Sequence, residues 1–157
     1  MQLTSDWATP DNRTLVYLNE SVRKVLSQHI QRTSSDAESG GILLGHVRGP
    51  HLEIIEATCP SPCDERYRFL FVRMQDVHNE LADRRWRNSD GTVRYIGEWH
   101  THPEDYPSPS ALDRREWINL ALKRKDQRPL LALIVGREGM YLELVSPNNT
   151  HTRLQPV

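Results

Sequence analysis

His100 and His102 stand two residues apart where the run Thr92 to His100, which reads as a β-strand, gives way to a loop. Side chains alternate along a strand, so the two imidazoles leave one face while Trp99 and Thr101 leave the other. Two neutral imidazoles on one face supply half of a tetrahedral zinc site. Asp113 follows in a segment of helical periodicity, four residues before Trp117, seven before Leu120 and eight before Ala121, which sets it on the apolar face of that helix. A carboxylate on a core-facing stripe is costly unless it is paired or bound to a metal. Zinc held by His100, His102 and Asp113 would keep a fourth position for water, the arrangement of a catalytic rather than a structural site.

Each fragment also has a plainer reading. Ser110-x-x-Asp113 fits a helix N-terminal capping pattern, with an acid in the first turn favoured by the helix dipole. A His-x-His pair is often no more than two strand histidines. The readings are compatible, because a capping Ser110 can still line a site. Hydrolysis would further need a proton acceptor, and residue chemistry alone leaves three open: Glu38 upstream, Glu98 on the same strand face as His100, and Glu104 in the loop beyond. Glu98 reads best as a supporting or surface acid.

The elements that must position these residues are mixed α and β. Thr14 to Leu18 reads as a short strand, and Asn19 caps a helix expected over Glu20 to Arg32, where Val22, Val25, Leu26, His29 and Ile30 recur at helical spacing. Gly41 to Val47 and His51 to Thr58 read as strands about the Gly49-Pro50 turn. Cys59 to Cys63 is proline-rich loop, Tyr67 to Arg73 a strand, and Met74 to Asn88 a helix ended near Asp90-Gly91. Thr101 to Pro109 is a loop with three prolines, and Ser110 to Lys123 the helix that carries Asp113. Leu130 to Val135 and Met140 to Val145 form a hairpin around Gly136 to Gly139.

Composition narrows the function classes. The 157 residues, 37% hydrophobic, suit one domain with a substantial core. With 20 Lys+Arg against 21 Asp+Glu there is no basic surplus of the kind a nucleic-acid binder shows, so no nucleic-acid partner is expected. The N-terminus lacks the pattern of a signal peptide, and the longest apolar run, Leu130 to Val135, is too short to span a bilayer. Two cysteines do not make a disulfide scaffold. A cytoplasmic protein without a membrane association is the expectation. Cys59 and Cys63 have the spacing of a metal pair but no second Cys/His pair to complete it. His29 reads as a core histidine. Arg84-Arg85-Trp86-Arg87 reads as a solvated helix face sooner than a patch for an acidic partner. Tyr106 and the loop prolines could line a cleft or simply stiffen the connection.

The motif residues resemble the JAMM motif of the JAB/MPN metallopeptidases: a glutamate, a distant His-Ser/Thr-His-Pro, then seven residues, Ser, two residues and Asp. Here the seven are Pro103 to Pro109 and the two are Ala111-Leu112, with Thr101 in place of the commoner serine. The opening Glu38-Ser-Gly-Gly-Ile-Leu-Leu-Gly45 is similar to that of prokaryotic members, and the resemblance extends from about Glu38 to Val145. It implies a single JAB/MPN domain over 1–157, a mixed α/β (α+β) fold with a central mixed sheet flanked by helices, in a layout like that of cytidine deaminases. It implies one Zn2+ per chain on His100, His102 and Asp113, with Glu38 as general base and Ser110 donating to the oxyanion. The choice of Glu38 among the three glutamates rests on this resemblance.

The small size and the Gly97-Glu-Trp-His-Thr-His-Pro103 segment further resemble bacterial members found beside ubiquitin-like activating and conjugating enzymes. The resemblance implies a zinc-dependent isopeptidase, acting after the C-terminus of a protein conjugated to a target lysine. The conjugate would be a CD-NTase of a CBASS antiphage system, presented by a flexible C-terminal tail to a monomeric enzyme. Alternatives are a deubiquitinase-like peptidase of another bacterial ubiquitin-like pathway and a non-catalytic MPN scaffold, whose members typically lack the ligands present here. A RadC-type repair relative is disfavoured by the neutral charge. A zinc deaminase is disfavoured because its His-x-Glu and Pro-Cys-x-x-Cys signature is missing.

Overall fold

The computed structural model describes residues 3–60, 65–66, 71–72 and 75–157, with side chains described for all of these except 65–66, 71–72 and 75–77. In chain order the elements are β1 (Asp6–Ala8), β2 (Leu15–Leu18), α1 (Glu20–Gln28), β3 (Gly40–Arg48), β4 (His51–Ala57), β5 (Glu65–Arg66), β6 (Phe71–Val72), α2 (Gln75–Asn88), β7 (Arg94–Thr101), α3 (Ala111–Lys123), β8 (Leu130–Val135), β9 (Met140–Val145), β10 (His151–Arg153) and β11 (Gln155–Pro156). The mixed α/β class is as expected from the sequence. Nine strands form one sheet in the order β10-β9-β8-β7-β3-β4-β2-β1-β11, parallel at β2–β4 and β7–β8 and antiparallel elsewhere.

The two edges of that order, β10 and β11, are separated in the chain by Leu154 alone. Laid flat, nine strands at ~4.8 Å spacing would span about 38 Å, far beyond the reach of one residue. The sheet therefore curls until its edges approach. Leu154 is buried at the join, and its amide donates to the Leu142 carbonyl at 2.9 Å.

One apolar core fills the inside of the curl. Val22 and Leu26 of α1 close it over Leu43, Ile54, Trp99, Leu131, Leu133 and Val135. A second lies under α3, where Trp117 and Ala121 pack on Leu130, Ala132, Ile134, Tyr141 and Val145. Successive residues of β8 enter alternate cores, which is why its sequence is an unbroken apolar run. β7 lies between β3 and β8 and carries the His100 end of the motif into the seam. Gly41 allows a close approach there: a Cβ at this position would stand 2.4 Å from the Thr58 carbonyl oxygen and 2.9 Å from Trp99 Nε1. These two atoms hydrogen-bond one another at 3.0 Å.

Helix α1 is shorter than its periodicity predicts, ending at Gln28 rather than Arg32. The amide of His29 turns back to the Leu26 carbonyl, and the amides of Arg32 and Thr33 are both taken by Asp36 Oδ2 at 2.9 Å. The local side-chain acceptor outcompetes a further helical turn. His29 is half-buried with its ring 5.6 Å from that of Trp99, as a core histidine should be. Arg85 forks onto Glu56, at 2.8 and 3.2 Å, so that part of the Arg84 to Arg87 run is an intramolecular contact. Most of the predicted strand Tyr67 to Arg73, the start of the predicted helix at Met74, and Cys63 lie outside the described residues; Cys59 is exposed. The short β1, β10 and β11 have no counterpart in the predicted elements, being too brief to show a period.

Candidate metal centre

The site forms where β7 ends against the N-terminus of α3. Register places His100 opposite Gly40 of β3 and beside Ile134 of β8. His102, one residue past the strand, is held by its amide on the Val135 carbonyl at 3.0 Å. The loop Pro103 to Pro109 then returns the chain to Ser110. This return is braced by the β8–β9 turn: the amides of Arg137, Glu138 and Gly139 bond the carbonyls of Glu104 and Asp105, and Arg137 Nε donates to Asp105 Oδ1 at 2.8 Å. A stiff return is what brings Asp113 to the histidines.

His100 Nε2 and His102 Nε2 lie 3.0 Å apart, His100 Nε2 is 3.3 Å from Asp113 Oδ1, and His102 Nε2 is 3.1 Å from Asp113 Oδ2. Among the described residues these three form the one group of His, Cys, Asp or Glu able to hold a metal ion. The set fits zinc: ligands at ~2.0–2.2 Å in a tetrahedron have edges of about 3.3–3.6 Å, a little above the spacings here. His102 Nδ1 lies 2.7 Å from Glu104 Oε1. Donation of Nδ1–H to that carboxylate would leave the Nε2 lone pair for a metal, the tautomer a metal ligand needs.

Asp113 has two tasks. The capping box predicted from Ser110-x-x-Asp113 is formed in full: Ser110 Oγ accepts the Asp113 amide at 3.1 Å, and Asp113 Oδ2 accepts the Ser110 amide at 2.9 Å. The same carboxylate faces both histidines. Ser110 Oγ acts as acceptor in the cap, so its own proton is not spent there.

The electrostatics is strongly polarised. Burial alone would raise the Asp113 carboxyl, but hydrogen bonding with His100 and His102 and the Ser110 amide hold it well below the usual carboxylate range. For His102, burial works against the charged ring, yet Asp113 and Glu104 raise it above the ordinary histidine value. Glu38 is only 4% exposed. Burial pushes its carboxyl up to about 8; His102 opposes the rise, and the carboxylates of Asp113 and Glu104 add to it. Glu38 therefore shares a field with the ligand cluster although it is far from them in sequence. Glu98 is buried in β7, paired across to Ile42 and Ala132. Glu104 is engaged with His102.

A family model described as prokaryotic homologs of the JAB domain matches residues 19–149. The chain belongs to the prokaryotic JAB family. A protein of Pseudomonas aeruginosa (strain BWHPSA011 / Pa011) named CD-NTase/cGAS isopeptidase is 50% identical over 157 residues, 100% of this chain and 99% of its own. One of the same name from Escherichia coli (strain TW11681) is 35% identical over 132 residues, 84% of this chain and 81% of its own. A probable metalloprotease of Sinorhizobium fredii is 29% identical over 126 residues, 78% and 76% of the two chains. The solution structure of a Desulfitobacterium hafniense protein superposes with a TM-score of 0.61 at 17% identity, covering 88% of each chain, and shares the fold.

In this JAB domain the structure brings Glu38, His100, His102, Ser110 and Asp113 to one locality. Sequence reasoning took Glu104 only for a possible base and missed it as the partner of His102; a carboxylate two residues beyond a ligand histidine was the available signal. It also gave no role to Thr101 and Gln31, both of which are buried polar residues beside the site. No described helix is long and apolar enough to cross a membrane.

Proposed function

We propose that this JAB-family hydrolase is a zinc-dependent isopeptidase, one domain over 1–157, that cleaves the amide joining the C-terminus of a CD-NTase to a lysine of another protein in the bacterial cytoplasm. The observation that carries the reading is a buried glutamate, Glu38, in the field of three converging side chains able to hold a metal ion. The names of the relatives support the substrate class.

In this reading one Zn2+ is held by His100, His102 and Asp113. Bound there, zinc supplies a Lewis acid for the scissile carbonyl, acidifies water toward neutrality and by its charge favours the carboxylate form of Glu38. Glu38 takes the proton of the attacking water and returns it to the lysine Nζ as the carbon–nitrogen bond breaks, because an amine leaves poorly unless protonated. Ser110 donates its hydroxyl proton to the carbonyl oxygen as negative charge gathers on it. Glu104 orients His102. Because the scissile carbonyl must reach a site between β7 and α3, the conjugate is presented by a flexible C-terminal tail. The scaffold alternative gains no support from a complete ligand set.

The test compares wild type with Glu38→Ala on a fusion carrying a reporter joined by an amide to the C-terminus of a CD-NTase, with zinc content and product measured together. Glu38→Ala should keep about one zinc per chain and lose activity at the upper end of the ~10²–10⁴-fold range typical of general acid–base catalysis. A variant that retains zinc and cuts at nearly the wild-type rate removes Glu38 as the base. Zinc-loaded wild type that cuts no conjugate returns the scaffold reading.

A further inference from the structure

Glu38 leaves the sheet at the edge of a buried polar web. The β3–β7 ladder runs to Gly40 opposite His100. One step further, the Thr101 amide donates to the Ser39 carbonyl at 2.9 Å, as an antiparallel ladder requires. The return bond is different: the Ser39 amide donates to the Thr101 side chain, Oγ1, at 3.0 Å. The Thr101 hydroxyl donates in turn to Gln31 Oε1 at 2.9 Å, and Gln31 Nε2 donates to the Asp36 carbonyl at 3.1 Å. Thr101, Gln31 and Ser39 are 0%, 1% and 1% exposed.

The web ties both ends of the segment 36–39 to the residue between His100 and His102. Its hydroxyl replaces the backbone carbonyl as acceptor, so the ladder begins at Ser39 and the residue just before it, Glu38, lies outside the sheet. We infer that Thr101 and Gln31 are positioning residues, whose hydrogen bonds set the carboxyl of Glu38 against the zinc ligands. The inference rests on the reading of Glu38 as base. Thr101 alone cannot carry the task, since a hydroxyl pivots; Gln31 fixes the direction of its proton and anchors the far end of the segment at Asp36.

The experiment uses the full chain with zinc and the CD-NTase–reporter fusion, and four variants: Thr101→Val, Thr101→Ser, Gln31→Met and Glu38→Gln. Zinc content, kcat and KM are measured, with hydrogen exchange of the segment 36–41 as a readout independent of turnover. A displacement of about 1 Å in a reacting group can cost on the order of 10²-fold. Thr101→Val is therefore expected to lower kcat by about that factor and Gln31→Met by about tenfold. In both, zinc content and KM should hold and exchange in 36–41 should quicken. Thr101→Ser keeps the hydroxyl and should restore kcat and protection. Wild-type kcat in Thr101→Val while Glu38→Gln is inactive overturns the positioning role and leaves Glu38 as base. Loss of zinc in step with activity in Gln31→Met also overturns it, because the web would then serve the ligands. If Thr101→Val does not fold, Gln31→Met decides: full kcat refutes the inference, and a kcat loss with zinc retained upholds it. Wild-type cleavage by Glu38→Gln instead removes the reading on which the inference stands.

Discussion

Helices α1 and α3 begin with the same kind of device and end with different duties. Asn19 caps α1 by accepting the Val22 amide at 2.9 Å, with Glu20 favouring the dipole in the first turn. Ser110 and Asp113 cap α3 through a reciprocal box. The Asn19 cap faces β4, where its amide group bonds the Ile55 carbonyl at 3.2 Å, and serves packing alone. The α3 cap faces two histidines at the end of β7. A capping acid becomes a candidate metal ligand through what the fold sets opposite it, with no change in the local pattern.

The comparison breaks most sharply at Asp113. Asp113→Asn keeps a side-chain oxygen for the cap but removes the charge facing His100 and His102. Zinc affinity should fall by more than the roughly 10–100-fold that loss of an outer partner costs, while helix content by circular dichroism changes little. Zinc retained at wild-type affinity would dissolve the distinction between the two caps.

Ser110→Ala removes a cap and the proposed oxyanion donor together. The cap is worth about 1 kcal/mol of stability, and one such donor is worth roughly 10²–10³ in kcat. A fall in thermal stability with unchanged kcat would reduce Ser110 to a cap like Asn19.

Glu104→Gln weakens the acceptor that orients His102, and titration with a chelating competitor should report a zinc affinity lower by ~10–100-fold. Equal affinity in variant and wild type would mean that the loop alone sets the ring.

In zinc-free protein, Glu38 keeps its proton in the fold up to about 8, while in the unfolded chain it titrates near its ordinary value of 4.5. Between these pH values the folded state binds the extra proton, so stability should decline as pH rises through this window. Thermal melts after chelation, on wild type and Glu38→Gln, should show that slope only in wild type. Parallel curves would place Glu38 in a wetter setting than its burial indicates.

The smallest effect belongs to Asn19→Ala, which should cost about 1 kcal/mol in urea unfolding and leave kcat and zinc content alone. Any loss of zinc there would tie α1 to the site more closely than its cap does.

The sequence by itself brought out the candidate ligands, because alternation in a strand and periodicity in a helix assign His100, His102 and Asp113 to definite faces wherever those elements lie. It determined β8 and β9 to the residue, β8 as an apolar run buried on both faces without polar interruption and β9 as the segment that follows the Gly136 to Gly139 turn, and it determined both caps. Tertiary structure decided what depends on contacts between distant segments. Three glutamates were equivalent by residue type, and only the packing of the segment before β3 against the end of β7 put Glu38 in the field of the ligands and left Glu104 on His102. The end of α1 at Gln28 was settled by Asp36, eight residues on, taking amides that a helix would have used. The curl of the sheet was settled by a two-residue strand at the C-terminus, too short to have a period, which pairs with β1 at the opposite end of the chain. Periodicity is a property of one segment and is written along it; hydrogen-bond competition and charge fields are properties of pairs, and arise only when the fold has brought the pairs together.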